Sequence, residues 1–162
     1  MTRMFSSERE MTNAFLQSEQ LYSYLKYSDW IRQQDYEVTG LFGIPDIVIT
    51  FGKVLPVKQN VIRVFAFELK LRNWKRALSQ AFKYSAFAHF SYVVLDDAHT
   101  QPSLQNIHLF EKANIGLISV NANREITLFH SPYIQKPYSA QLYQDYYSSL
   151  SENIFGEASA II

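Results

Sequence analysis

Val61-Ile-Arg-Val-Phe-Ala-Phe-Glu-Leu-Lys70 is β-branched and aromatic throughout and holds neither Gly nor Pro, which reads as a strand buried on both faces. Side chains alternate along a strand, so Glu68 and Lys70 share one face with Val64 and Ala66, while Phe65, Phe67 and Leu69 take the other. A carboxylate and an ammonium thus end the strand side by side. Upstream, Asp46-Ile-Val-Ile-Thr-Phe51 reads as a shorter strand, and the polar Gly52 to Asn60 segment as the hairpin loop joining the two. Gly43 and Pro45 bracket the turn that delivers Asp46. If the hairpin folds about residue 57, positions 46 and 68 face each other with Cβ atoms about 5 Å apart. Carboxylates that close repel unless a proton or a cation intervenes. A divalent metal is the simplest solution. Oxygen ligation by Asp46 and Glu68, with the Leu69 carbonyl within reach and water filling the rest, suits Mg2+ or Mn2+ better than zinc, and the chain has no cysteine.

Pro45-Asp46, followed 22 positions after the Asp by Glu68-Leu69-Lys70, resembles the PD-(D/E)xK nuclease signature. The resemblance implies an α/β, restriction-endonuclease-like three-layer fold with a mixed central sheet. Its αβββαβ core would cover about residues 4–95, with a C-terminal αββα extension over about 96–162, all in one domain. It also implies that Asp46 and Glu68 hold the metal, and that Lys70 orients or activates the water attacking a phosphodiester. In many such proteins the first helix offers a further carboxylate. Glu8 lies three and seven residues before Met11 and Phe15 and so sits on the inward stripe, where it is either that carboxylate or a solvated first-turn residue complementing the helix dipole. Gln80 and Tyr84 are four apart on a second helix. This Gln-x-x-x-Tyr resembles an additional motif of the RecB-type and lambda-exonuclease-like branch, and it implies that Gln80 helps to fix the water or the lysine.

The flanking segments fit that order. Residues 4–26 lack Gly and Pro, with Met4, Met11, Phe15, Tyr22 and Leu25 near helical spacing, so one long amphipathic helix is expected, capped by Ser6 or Ser7. Trp30 to Val38 reads as a first strand, on which Glu37 either flanks the site or is a rim charge. Lys75 to His89 reads as the second helix, and Ser91 to Leu95 as a strand reached by a parallel crossover. Arg72, Lys75, Arg76 and Lys83 form the densest basic cluster and, with Tyr84, the expected seat for a phosphate backbone. Leu104 to Ala113 is expected to be helical, Gly116–Val120 and Glu125–Phe129 to be strands, and Ala140–Leu150 to be a Tyr-rich helix ahead of Ile154-Phe155 and a terminal Ala160-Ile-Ile. This apolar end either docks on the domain or forms a homodimer interface. His89, His99, His108 and His130 show no metal-ligand spacing.

With 162 residues, 48% hydrophobic, the chain can bury one real core. No apolar stretch approaches a membrane span and no N-terminal apolar region stands out, so a cytoplasmic, non-membrane protein is expected. Twelve Phe, eleven Tyr and two Trp are expected mostly in the core, with an oligomer interface or base stacking as alternatives. Zero net charge is unusual for a tight DNA binder and leaves affinity to a local basic patch or a partner. The combined expectation is a Mg2+-dependent deoxyribonuclease serving restriction, phage defence or repair, alone or in a larger nuclease assembly. The alternatives are a Holliday-junction-resolvase-like endonuclease and an inactive nucleic-acid-binding scaffold of the same fold.

Overall fold

The hairpin forms where the two apolar runs place it. β2 (Ile47–Val54) pairs antiparallel with β3 (Asn60–Lys70), and every pair from Ile47 opposite Phe67 to Val54 opposite Asn60 is symmetric about residue 57. Asp46 continues the register, its N–H donating to Phe67 O at 3.2 Å. The computed structural model describes residues 3–57, 59–150 and 152–155. β1 (Ile31–Tyr36) adds antiparallel to β2 at the edge. On the other side β3 meets β4 (Phe90–Asp96) in parallel, reached through α3 (Trp74–Tyr84), as a crossover helix requires. Asn73 caps α3 by accepting the Arg76 N–H at 3.2 Å. β5 (Gly116–Val120) then lies parallel to β4, and β6 (Ile126–His130) antiparallel to β5. The outcome is an α/β chain on one open, mixed six-stranded sheet in sequence order. The C-terminal strands are therefore not an appendage to the core; they widen its sheet.

Alternation along β3 sorts the core as expected. Phe65, Phe67 and Leu69 pack with Ile47, Ile49, Phe51, Tyr92 and Val94 beneath the N-terminal helices. Phe65 stacks on Phe90 at 4.4 Å and Phe67 on Tyr92 at 5.3 Å between centroids. On the opposite face Val48, Val64 and Ala66 meet Tyr84, Phe87 and Tyr146 of α6 (Ala140–Ser149), while Val93, Leu95 and Leu117 meet Trp74, Ala77, Ala81 and Phe110 of α5 (Ile107–Ala113). The Tyr-rich helix docks on its own sheet, with the Tyr146 and Thr50 hydroxyls 2.7 Å apart.

Several boundaries differ from expectation. The single helix over 4–26 is two, α1 (Glu8–Leu16) and α2 (Leu21–Leu25). Ser18 is buried and its hydroxyl accepts the Gln20 N–H at 3.3 Å, a local bond that competes with helix continuation and lets Leu21 and Leu25 turn into the core. Ser7, not Ser6, is the cap, accepting the Glu10 N–H at 3.1 Å, so Met4 lies outside the helix and is exposed. α3 ends at Tyr84, five residues short of His89. The expected 104–113 helix is α4 (Gln101–Leu104), entered through Pro102, followed by α5. Ile154 and Phe155 belong to α7 (Glu152–Phe155), and their side chains lie over β2 where Gly52 leaves room: a Cβ there would clash with Ile154 Cγ2. Ala160-Ile-Ile lies outside the described residues. No helix among the described residues is long and apolar enough to cross a membrane.

His89 holds the entry to β4. Its N–H donates to Val64 O and its Nδ1 accepts the Val64 N–H, both at 2.9 Å, so the imidazole stands in for a strand partner. Burial, aided by the Arg63 charge, pushes its pKa down to about 4. The unfolded chain therefore binds this proton more readily, and the contribution of the neutral ring is complete above about pH 6.5 and declines as pH falls toward 4. The loss should total roughly 3 kcal/mol. Urea unfolding at pH 7, 5.5 and 4.5 should show this as a slope in the difference between wild type and His89→Gln; parallel curves would refute the assignment.

Candidate active site

β2 and β3 deliver their charged residues to the same end of the sheet. Asp46 is fixed first, its Oδ2 accepting the Leu69 N–H at 2.8 Å. Its other oxygen makes no hydrogen bond among the described residues, and Asp46 lines a cavity of about 400 Å³ with Leu69, Glu37, Tyr36 and, from α1, Glu8, Arg9 and Thr12. Glu68 lies behind this wall and is only 1% exposed. Lys70 Nζ is 3.2 Å from Glu68 Oε1 and 3.7 Å from Glu8 Oε2, bridging strand and helix. Gln80, with its amide nitrogen facing Glu68, donates to Oε1 at 2.8 Å and accepts from Arg76 Nε at 3.3 Å. The Tyr84 hydroxyl donates to Glu68 Oε2. Positions four apart on α3 thus hold both oxygens of one carboxylate.

The electrostatics follow from burial and crowding. Burial pushes the Asp46 carboxyl up; the Leu69 N–H and Lys70 oppose the shift, and Glu8 and Glu37 add to it. Burial likewise raises Glu68, against the Tyr84 hydrogen bond and with the repulsion of Asp46. Burial alone would lower the Lys70 ammonium, but Glu68, Glu8 and Asp46 outweigh it and keep the amine protonated. Tyr84 is driven far up by burial and by Glu68. Its one proton faces two acceptors, Glu68 Oε2 and Ile44 O at 2.9 Å.

Around the cavity Glu8, Glu37 and Asp46, with Glu68 behind them, face Arg9 and Lys70. Repelling carboxylates with an unused oxygen are a donor set that a hard divalent cation suits, and Asp46 and Glu68 are the residues that could hold it beside Leu69. Among the described residues no three His, Asp or Glu side chains form a ready-made metal cluster, so neutral oxygens and water would complete the shell.

The expected site residues largely come together. Glu8 reaches Lys70, and Glu37, expected as either flank or rim, is exposed yet lines the cavity. It holds a left-handed backbone, φ 47°, while its N–H donates to Asp46 O at 3.2 Å. Arg72, Lys75, Arg76 and Lys83 are exposed on α3 and the turn before it, and none forms an ion pair among the described residues. Tyr84 is corrected: it is fully buried with its hydroxyl engaged, so it positions Glu68 and offers no face to a phosphate. Arg9 and Thr12 were missed; Thr12 sits one turn beyond Glu8, a signal that was available.

No protein-family model matches the chain, and no curated protein or solved structure matches it.

Gly43 couples the turn to this arrangement. Its φ is +86°, and a Cβ there would lie 2.8 Å from the Tyr84 ring, whereas Gly40, at φ +84°, has open space around it. Both Gly→Ala changes should cost about 1–2 kcal/mol for the left-handed backbone. Gly43→Ala should cost measurably more, because Tyr84 must shift. Equal thermal shifts in the two variants would show that the Tyr84 ring yields freely.

Proposed function

We propose that the chain is a Mg2+-dependent nuclease of the PD-(D/E)xK type, on a restriction-endonuclease-like fold, that hydrolyses DNA phosphodiester bonds. The observation that carries this reading is the meeting of Asp46, Glu68 and Lys70 at one end of the β2–β3 hairpin, with Gln80 and Tyr84 backing Glu68 from α3. Asp46 and Glu68 would hold the cation, which when bound would neutralise charge on the scissile phosphate and acidify the attacking water. Lys70, held protonated by its carboxylate neighbours, orients that water or stabilises the charge gathering on the phosphate oxygens. As the water oxygen bonds to phosphorus the ester P–O bond breaks. Glu8, half-exposed and with no side-chain hydrogen bond among the described residues beyond its ion pair with Lys70, is placed to accept the proton lost by the water, and solvent protonates the leaving oxygen. Arg72, Lys75, Arg76 and Lys83 seat the backbone of the strand, which supplies local positive charge on a neutral chain.

A second reading has its own support. Both Glu68 oxygens already have protein partners, and its pair with Lys70 is nearly closed, as in a nucleic-acid-binding scaffold that has no need of a metal.

Cleavage of supercoiled, linear and single-stranded DNA with Mg2+ or Mn2+ against EDTA separates the two. The nuclease reading expects metal-dependent cutting that Lys70→Ala and Glu68→Ala each lower by about 100-fold or more. If nothing is cut, calorimetric Mn2+ binding that Asp46→Ala abolishes would keep the metal site. No Mn2+ binding at all would leave the scaffold.

A further inference from the structure

β3 outruns β4 at its start: pairing begins at Phe65 opposite Phe90, and the edge before it is left beside the segment 134–140. A second cavity of about 420 Å³ opens there, within the size range of small-molecule sites. Among the described residues its polar lining is Arg63, His89, Gln135 and Lys136, with no carboxylate. Arg63 is half-buried, donates to the Ile62 carbonyl at 2.9 Å, lies over the Trp30 ring at 5.9 Å from its centroid, and has no ion-pair partner among the described residues. Lys136 is exposed at the mouth and equally unpaired.

His89 is 8% exposed, and its Nδ1 is consumed as acceptor by Val64, so the proton of the neutral ring is on Nε2. That N–H has no partner among the described residues, and His89 lines the cavity. α6 also begins at this wall with Ala140, and its cap Ser139 takes only the Leu142 N–H. The apolar lining is Tyr143, set edge-on to His89 at 5.4 Å, with Ile134 and Pro137. A buried donor, a guanidinium and an ammonium without counter-charge, all beside an aromatic wall, form an unneutralised anion site with room for a planar group.

We propose that this cavity binds a phosphate monoester carried on a group with a flat aromatic face, the chemistry of a nucleoside monophosphate. The phosphate meets Arg63, Lys136 and the His89 Nε2–H, and the planar group lies along Tyr143. The site is separate from the acidic cavity and does not depend on the nuclease reading.

Calorimetry in EDTA with deoxyadenosine monophosphate, inorganic phosphate and deoxyadenosine tests it apart from any cleavage. The monophosphate should bind at least about tenfold more tightly than the nucleoside, and phosphate should displace it. Arg63→Gln and Lys136→Gln should each weaken it by about tenfold, while Lys112→Gln, exposed on α5, should not. Lys136 is exposed, so its variant remains informative even where Arg63→Gln lowers the melting temperature. Absence of monophosphate binding at millimolar concentration, or binding indifferent to both substitutions, would overturn the site. A 5′-phosphorylated oligonucleotide that competes where its 5′-hydroxyl twin does not would make the ligand a strand end; failure of both, with the monophosphate still bound, would make it a free nucleotide.

Discussion

A carboxylate taken out of water must find partners for both oxygens, and Glu68, at 1% exposure, is where this chain meets that cost. Three elements answer it. β3 itself supplies Lys70, two residues on and on the same face, and α3 supplies Gln80 and Tyr84 from successive turns. Tyr84 is in turn boxed by the Gly43 turn, whose left-handed backbone brings Ile44 O to the same hydroxyl and leads directly to Asp46. The position of α3, the course of the turn and the aim of Asp46 are therefore one coupled arrangement. Loosening any of them leaves a buried charge short of a partner.

The apolar sheet makes that arrangement rigid. Phe65, Phe67 and Tyr92 form a stacked layer on the face opposite Glu68, and Tyr27, Phe51 and Phe90 close around it. Large rings interlocked across three strands resist a slip in register, because a one-residue slip would turn Phe65 and Phe67 toward α3 and Glu68 toward the aromatic layer. The charged end of the hairpin is thus fixed by packing that never touches it.

The hairpin and its charged end were legible in the sequence because their signals are strong and local: two apolar runs, a polar loop with a definable midpoint, and strict alternation that puts Glu68 and Lys70 on one face. The parallel crossover was legible for the same reason, since a helix separates β3 from β4. What escaped depended on tertiary demand. The break at Ser18 carries no Gly or Pro, and only the need to bury both Phe15 and Leu21 shows why the helix stops there. Tyr84 read as a surface residue because its spacing from Gln80 says that the two share a helix face and nothing about which way the face points. The widening of the sheet by β5 and β6 likewise required knowing that the far edge of β4 was open.

A neutral chain need not be neutral locally. The acids gather at the C-terminal end of β3, where Glu8, Glu37 and Asp46 ring one cavity, while Arg72 in the next turn and Lys75, Arg76 and Lys83 on the helix that follows are exposed. At the other end of the same strand, roughly 23 Å from Lys70 at ordinary strand rise, Arg63 and Lys136 ring a cavity that no acid lines among the described residues. Attraction between charges that far apart is mostly screened at physiological ionic strength, so neither cluster neutralises the other despite the even total. Each end keeps its own sign, and the ligand it can accept is set by its nearest neighbours rather than by the net charge of the protein.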